Sequence, residues 1–138
     1  MKSRDTFLAA LIEQPDRRHR LSNRRTGRVL ACNLECAFDS QTRRKGLLGR
    51  DALAEGSALI IAPCNSIHTF FMRFPIDVAF VDRRGTVLRV GRAIPSWRLS
   101  ASWRAFAVVE MPAGALEASG TDAGDQLAVM ADGVPTTP

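Results

Sequence analysis

Apolar residues in this chain recur chiefly with a period of two, in short runs broken by turn-forming residues. That pattern predicts strands rather than long helices. In "RVLACNLECAFD" Leu30, Cys32, Leu34, Cys36 and Phe38 alternate with smaller or more polar neighbours, which predicts a strand over 28–38 with one buried face. "SALIIAP" predicts a buried strand, and "IHTFF" and "PIDVAF" predict two more, at about 67–73 and 76–82, with Pro75 as the break between them. A turn at Arg83, Arg84 and Gly85 leads into "TVLRVGRAI" as a hairpin. "AFAVVEM" and "GDQLAVM" supply the last strands, and "PSWRLSASWRA", which holds both tryptophans, reads as a loop.

Helical signals are short. Phe7, Leu8, Leu11 and Ile12 can share one face of an N-terminal helix that Pro15 ends. Asp39 and Ser40 are good N-caps for a second helix that Gly49 can close, and "PAGALEASG" gives a third, closed by Gly120. The expected fold is therefore α+β and mostly antiparallel. About six strands form a curled sheet or partly open barrel, with two or three short helices. The expected division is an N-terminal helix and basic segment (1–27), one globular domain (28–131) and a mobile tail (132–138).

Composition agrees with a single globular domain: 138 residues, 46% apolar and 24% charged, need no metal or disulfide staple. "FLAALI" is too short to span a membrane, and no small-residue cleavage site follows it, so a cytoplasmic protein is expected. Three cysteines argue against a disulfide framework. Cys32 and Cys36, about 13 Å apart on one strand, read as reduced core thiols. Cys64, in "APCNS", is the thiol expected to reach the surface.

Charge is uneven. Residues 1–50 hold 12 Lys/Arg against 5 Asp/Glu, and residues 51–138 hold 7 against 9. The surplus centres on "RRHRLSNRRTGR", read as a solvated basic turn or arm. It lacks the interleaved aromatics of a single-strand binder, which argues against nucleic acid as the partner. Contact with nucleic acid or an acidic partner is the weakest of three readings.

Polar residues inside apolar strands are the candidate chemistry. His68 interrupts "IHTFF", and one ring nitrogen could accept a proton while a carboxylate, Asp77 or Glu110, holds the other. Glu110 sits among "AVVEM" on the face of Phe106 and Val108, where a carboxyl is paired, protonated or aimed into a cavity. Arg73 and Asp77 could bridge the bend at Pro75, and Asp77 could instead order a loop by accepting backbone N–H groups. Arg43 and Arg50 flank the second helix and could clamp an anion. Asp125, after Gly124, reads as bonding the backbone amides of a neighbouring turn. No metal-ligand spacing, phosphate-cradling loop or nucleophile elbow is present, and no cofactor is expected.

Four blocks carry a family resemblance: Gly46–Arg50 in "KGLLGR", Met72–Asp77 in "FMRFPID", Val109–Gly114 in "VEMPAG", and Gly124–Asp125. In this order, over roughly residues 28–130, they resemble domain of unknown function family 192, a group of small uncharacterised prokaryotic proteins. Phe71-Met72-Arg73-Phe74 stands where the commoner form resembles Trp-Met-Lys-Asn-Thr. The resemblance implies a fold and candidate positions but no reaction. The leading expectation is a small binding or accessory domain for a small molecule or peptide. Phe70, Met72, Trp97 or Trp103 would line its pocket, and His68, Arg73 and Glu110 would orient the ligand, with Met72, Arg43 and Arg50 as further contacts. The alternative is an enzyme using His68 as general base with Asp77 or Glu110.

Overall fold

The structure, a computed structural model, describes residues 5–132. In chain order its elements are α1 (Ala9–Glu13), β1 (His19–Asn23), β2 (Val29–Ala31), β3 (Asn33–Ala37), α2 (Ser40–Lys45), β4 (Ser57–Ile61), β5 (Ser66–His68), β6 (Ile76–Val81), β7 (Val87–Ile94), β8 (Leu99–Ala101), β9 (Ala107–Pro112), α3 (Ala115–Ser119) and β10 (Leu127–Ala131). A five-stranded sheet ordered β3-β4-β9-β6-β7 forms the centre, a three-stranded sheet β10-β1-β2 covers one side, and β5-β8 forms a two-stranded arm. Among the described residues β3 runs parallel to β4, the other strand pairs are antiparallel, and no sheet closes into a barrel. The fold is α+β with curled sheets, as the periodicity predicts, but with more and shorter strands.

β6 and β9 are apolar at nearly every position because both lie inside the sheet with both faces covered. Their alternate residues serve different cores. Ala79, Val81, Ala107, Val109 and Met111 meet Leu8, Leu21, Leu116 and Leu127 on one face. Ile76, Val78, Phe80 and Val108 meet Leu47, Ile61, Ile67 and Met72 on the other. Phe80 is fully buried, and truncating such a side chain to alanine costs roughly 3–5 kcal/mol. Gly85 makes the β6–β7 turn at φ +85°, and a side chain there would collide with the Leu127 carbonyl oxygen. The hairpin tip can therefore lie against β10.

Five local expectations are corrected. The strand over 28–38 is two strands, because Cys32 N–H and Asn33 N–H both donate to the Gly56 carbonyl, where the chain switches sheets. The alternation breaks there. Ala31 and Ala37 fill the core, while Cys32, Cys36 and Phe38 are exposed, so neither thiol is a core residue. The basic run is not a turn or arm throughout: His19–Asn23 pair with both β2 and β10, and Leu21 is buried. The second helix ends at Lys45 with Gly46 as its C-cap, one turn before Gly49. The strand expected over 67–73 stops at His68, because Thr69 turns inward: its hydroxyl donates to the Pro95 carbonyl and accepts the Arg98 N–H. Residues 133–138 of the expected mobile tail lie outside the described residues. No helix among the described residues is long and apolar enough to cross a membrane.

Candidate functional site

Asp39 starts α2 by accepting the Thr42 N–H at 2.8 Å, and the helix stops after one and a half turns at Gly46. The chain then sends Leu47 into the core. This places Arg43, Arg44 and Lys45 at the mouth of a cavity of about 330 Å³, with Leu47 and Leu48 in its wall. Arg43 donates to the Asp39 and Pro63 carbonyls, tying α2 to the end of β4. The opposite wall is Ser66, Ile67 and His68 from β5, with Met72 beyond the turn, while Ile61 and Ile76 come from β4 and β6. Glu110, from β9, lies at this cavity.

The Glu110 side chain is 5% exposed, and no group among the described residues donates a hydrogen bond to it. Burial, which disfavours the charged form, pushes its carboxyl from 4.5 up to about 7, and the nearby charge of Arg50 opposes this more weakly. Arg50 itself does not line the cavity; it grips Glu35 with two hydrogen bonds of 2.7 and 2.9 Å. Cys64 also borders the cavity, but burial raises its thiol pKa and its Sγ donates to the Ser66 carbonyl, so it is a weak nucleophile.

The structure thus brings His68, Met72, Glu110 and Arg43 together and separates the other expected residues. His68 is exposed at the rim with its ring 5.0 Å from Phe70, and among the described residues it has no ion pair or hydrogen bond to a carboxylate. Arg73 pairs with Asp51 at 2.6 Å on the surface, so the expected Arg73–Asp77 bridge does not form. Asp77 is buried and accepts the backbone N–H groups of Ala93, Gly114 and Leu116 at 2.8–3.1 Å. Its oxygens, committed to the backbone, do not reach His68. Asp125 accepts the Asp122 N–H, Asn23 Nδ2 and the guanidinium of Arg25. Met72 lines the cavity; Phe70 and Trp97 do not, and Trp103 borders a separate depression. No three of His, Cys, Asp and Glu among the described residues lie close enough to hold a metal ion. Sequence reasoning missed Arg44, Lys45 and the aliphatic walls. A basic triplet stopped by Gly46 was the available signal.

The family model of domain of unknown function family 192 (DUF192), described as "Uncharacterized ACR", matches residues 21–129. The chain belongs to the DUF192 family. The match begins at Leu21, inside β1. No curated protein matches the chain. Among solved structures, a "putative transcription regulator" from Sinorhizobium meliloti 1021 is similar, with a TM-score of 0.70 and 22% identity over 86% of this chain and 95% of that one. A protein of unknown function from Novosphingobium aromaticivorans DSM 12444 has a TM-score of 0.66 and 21% identity, over 80% and 82%. At these identities the likeness is one of fold, and the DUF192 family itself has no established function.

The DUF192 blocks fall into two groups in space. Gly46, Met72 and Glu110, with the neighbouring Leu47 and Leu48, surround the cavity. Asp77, Gly114 and Asp125 hold backbone turns.

Proposed function

We propose that this DUF192 domain binds a small amphipathic molecule in the cavity between α2 and the β5–β9 wall. The observation that carries the reading is the Glu110 carboxyl, on a residue only 5% exposed, which opens into the cavity and receives no hydrogen bond from the described residues. Burying such a group is costly unless a partner arrives, and a cavity of about 330 Å³ with an aliphatic wall on one side and basic and polar side chains on the other suits a small amphipathic ligand. The apolar body of the ligand packs among Leu47, Ile61, Ile67, Met72 and Ile76, and a hydrogen-bonding head reaches Glu110. Arg44 and Lys45 at the mouth favour a negative group at the ligand's outer end. His68 contacts the ligand at the rim rather than acting as a base.

A second reading, proton transfer by Glu110 in place of His68, is favoured by one observation: a carboxyl held near neutrality suits a general acid or base. Binding leads because Cys64, the thiol beside it, is not activated.

The test is a thermal-shift screen of the purified protein against amines, amides and carboxylates, run beside Glu110→Gln. A ligand at a hundred times its Kd adds about 2.7 kcal/mol, so a hit raises the wild-type melting temperature by several degrees. The expected result is a hit that loses its effect in Glu110→Gln while that variant melts no lower than wild type. Equal stabilisation of the two proteins, or none by any class, refutes the cavity as a ligand site.

A further inference from the structure

Beside the arm formed by β5 and β8 runs an exposed apolar ridge that meets the cavity at His68. His68 pairs across the arm with Leu99. From His68 a run of rings passes to Phe70 at 5.0 Å, to Trp97 at 5.4 Å and to Phe71 at 4.7 Å. At the other end Leu99 and Trp103 border one shallow depression together with His68 and Arg89. Phe71, Trp97, Leu99 and Trp103 are 71, 56, 75 and 86% exposed, whereas single-domain proteins scatter such side chains singly. Phe71 and Trp97 also hold left-handed backbone, at φ +64° and +67°. That conformation is unfavourable for bulky residues, and here it leaves two rings facing solvent.

The charged residues next to the ridge are arginines. Arg98 lies between Trp97 and Leu99, Arg104 follows Trp103, and Arg89 borders the depression. Asp51 is taken up by Arg73.

We propose that this ridge docks on an anionic lipid surface, with the Trp, Phe and Leu side chains entering the interface and the arginines meeting the headgroups. Tryptophan and phenylalanine favour that boundary, and basic side chains beside them are drawn to negative lipid. A second copy of the chain would bring the same arginines face to face with no acid to offset them. Single-stranded nucleic acid stacks successive bases on a series of open aromatic faces; of the two tryptophans only Trp103 is free of ring contacts among the described residues, since Trp97 lies stacked against Phe70 and meets the Phe71 ring edge-on. The ridge shares His68 with the cavity rim, but its docking requires no ligand in the cavity.

The chain has two tryptophans, both on the ridge, and no tyrosine, so its intrinsic emission reports this surface alone. The full chain is titrated with vesicles of phosphatidylcholine containing one-third phosphatidylglycerol, with pure phosphatidylcholine vesicles, and with a single-stranded oligonucleotide. Binding is followed by emission and co-sedimentation. The expected result is a blue shift and co-sedimentation with the anionic vesicles, weakened at least tenfold by Leu99→Ser with Trp103→Ser and by Arg98→Glu with Arg104→Glu. Both pairs alter exposed residues, and their melting temperatures confirm folding. No binding to anionic vesicles, equal binding to both vesicle types, or tighter binding to the oligonucleotide overturns the proposal.

Discussion

Replacing Glu110 with glutamine keeps the shape of the side chain and removes its charge, so the cost of burying that charge can be read directly. A carboxyl moved from 4.5 to about 7 favours the protonated folded state by about 3 kcal/mol, at roughly 1.4 kcal/mol per pH unit. The side chain is 5% exposed, so solvent screening takes little from this figure. Between pH 4.5 and 7 the folded protein holds a proton that the unfolded chain has released. Stability therefore falls as pH rises through that window. The favourable contribution is complete below about 4.5 and gone above about 7.

Glutamine carries no such dependence. At pH 5 the two proteins should differ by less than about 1 kcal/mol, since a protonated carboxyl and an amide are similar in size and polarity. At pH 8.5 Glu110→Gln should be the more stable by about 3 kcal/mol, or roughly 10 °C in melting temperature for a domain of this size. Urea unfolding of both proteins at the two pH values measures the difference, and groups that titrate alike in both cancel. A gap that is the same at both pH values, or a variant less stable at pH 8.5, would refute the picture of an unpartnered, desolvated carboxyl.

Three further substitutions test the surroundings. Asp77→Ala strips three backbone N–H groups of their acceptor and should cost roughly 3–5 kcal/mol in urea unfolding; a loss under 1 kcal/mol would show that these turns hold without it. Arg25 foremost, with Asn23 and the Asp122 N–H, holds the Asp125 carboxyl well below the usual carboxylate range. Its contribution is thus present above about pH 4 and lost as pH falls through the folded value, and Asp125→Asn should flatten the acid limb of stability against pH. Arg50→Met breaks a largely exposed pair with Glu35 and should cost under about 1 kcal/mol. It also removes the charge that draws Glu110 down, so the Glu110 midpoint, followed by carboxyl NMR, should rise above 7.

What was legible in the sequence followed from side chains facing a core. The runs that became β4, β6, β9 and β10 were readable because two covered faces, or one covered face and a turn, leave little choice of residue. The 28–38 stretch misled because the same alternation is produced by a chain that changes sheets midway, and the deciding bonds go to a backbone carbonyl, Gly56, that carries no sequence signal. β1 was hidden because two of its three buried residues, His19 and Asn23, are polar and only Leu21 is apolar, within a run rich in arginine. For the site, a lone glutamate in an apolar strand marked Glu110 correctly as a residue needing a partner or a cavity. His68 gave the same kind of signal but for another reason: β5 is three residues long and one face of it is open, so a histidine there is not in a core at all.

Asp77 and Glu110 show how neighbouring positions on one sheet reach opposite ends of this logic. β6 and β9 pair Asp77 with Met111 and Val78 with Glu110, so the two carboxylates sit one register step apart and face opposite sides of the sheet. On the side of Asp77 the chain turns back twice, at Ala93 and at Gly114–Leu116, and offers three N–H groups within hydrogen-bond reach. On the side of Glu110 the covering segment is a helix of six residues that ends before it arrives, and behind it come leucines. A longer α2 or one more turn of backbone would have supplied donors there and made Glu110 another structural acid. Because the helix stops at Gly46, the carboxyl opens into the cavity instead, with the basic side chains of Arg43, Arg44 and Lys45 at the same cavity and no hydrogen bond to any of them.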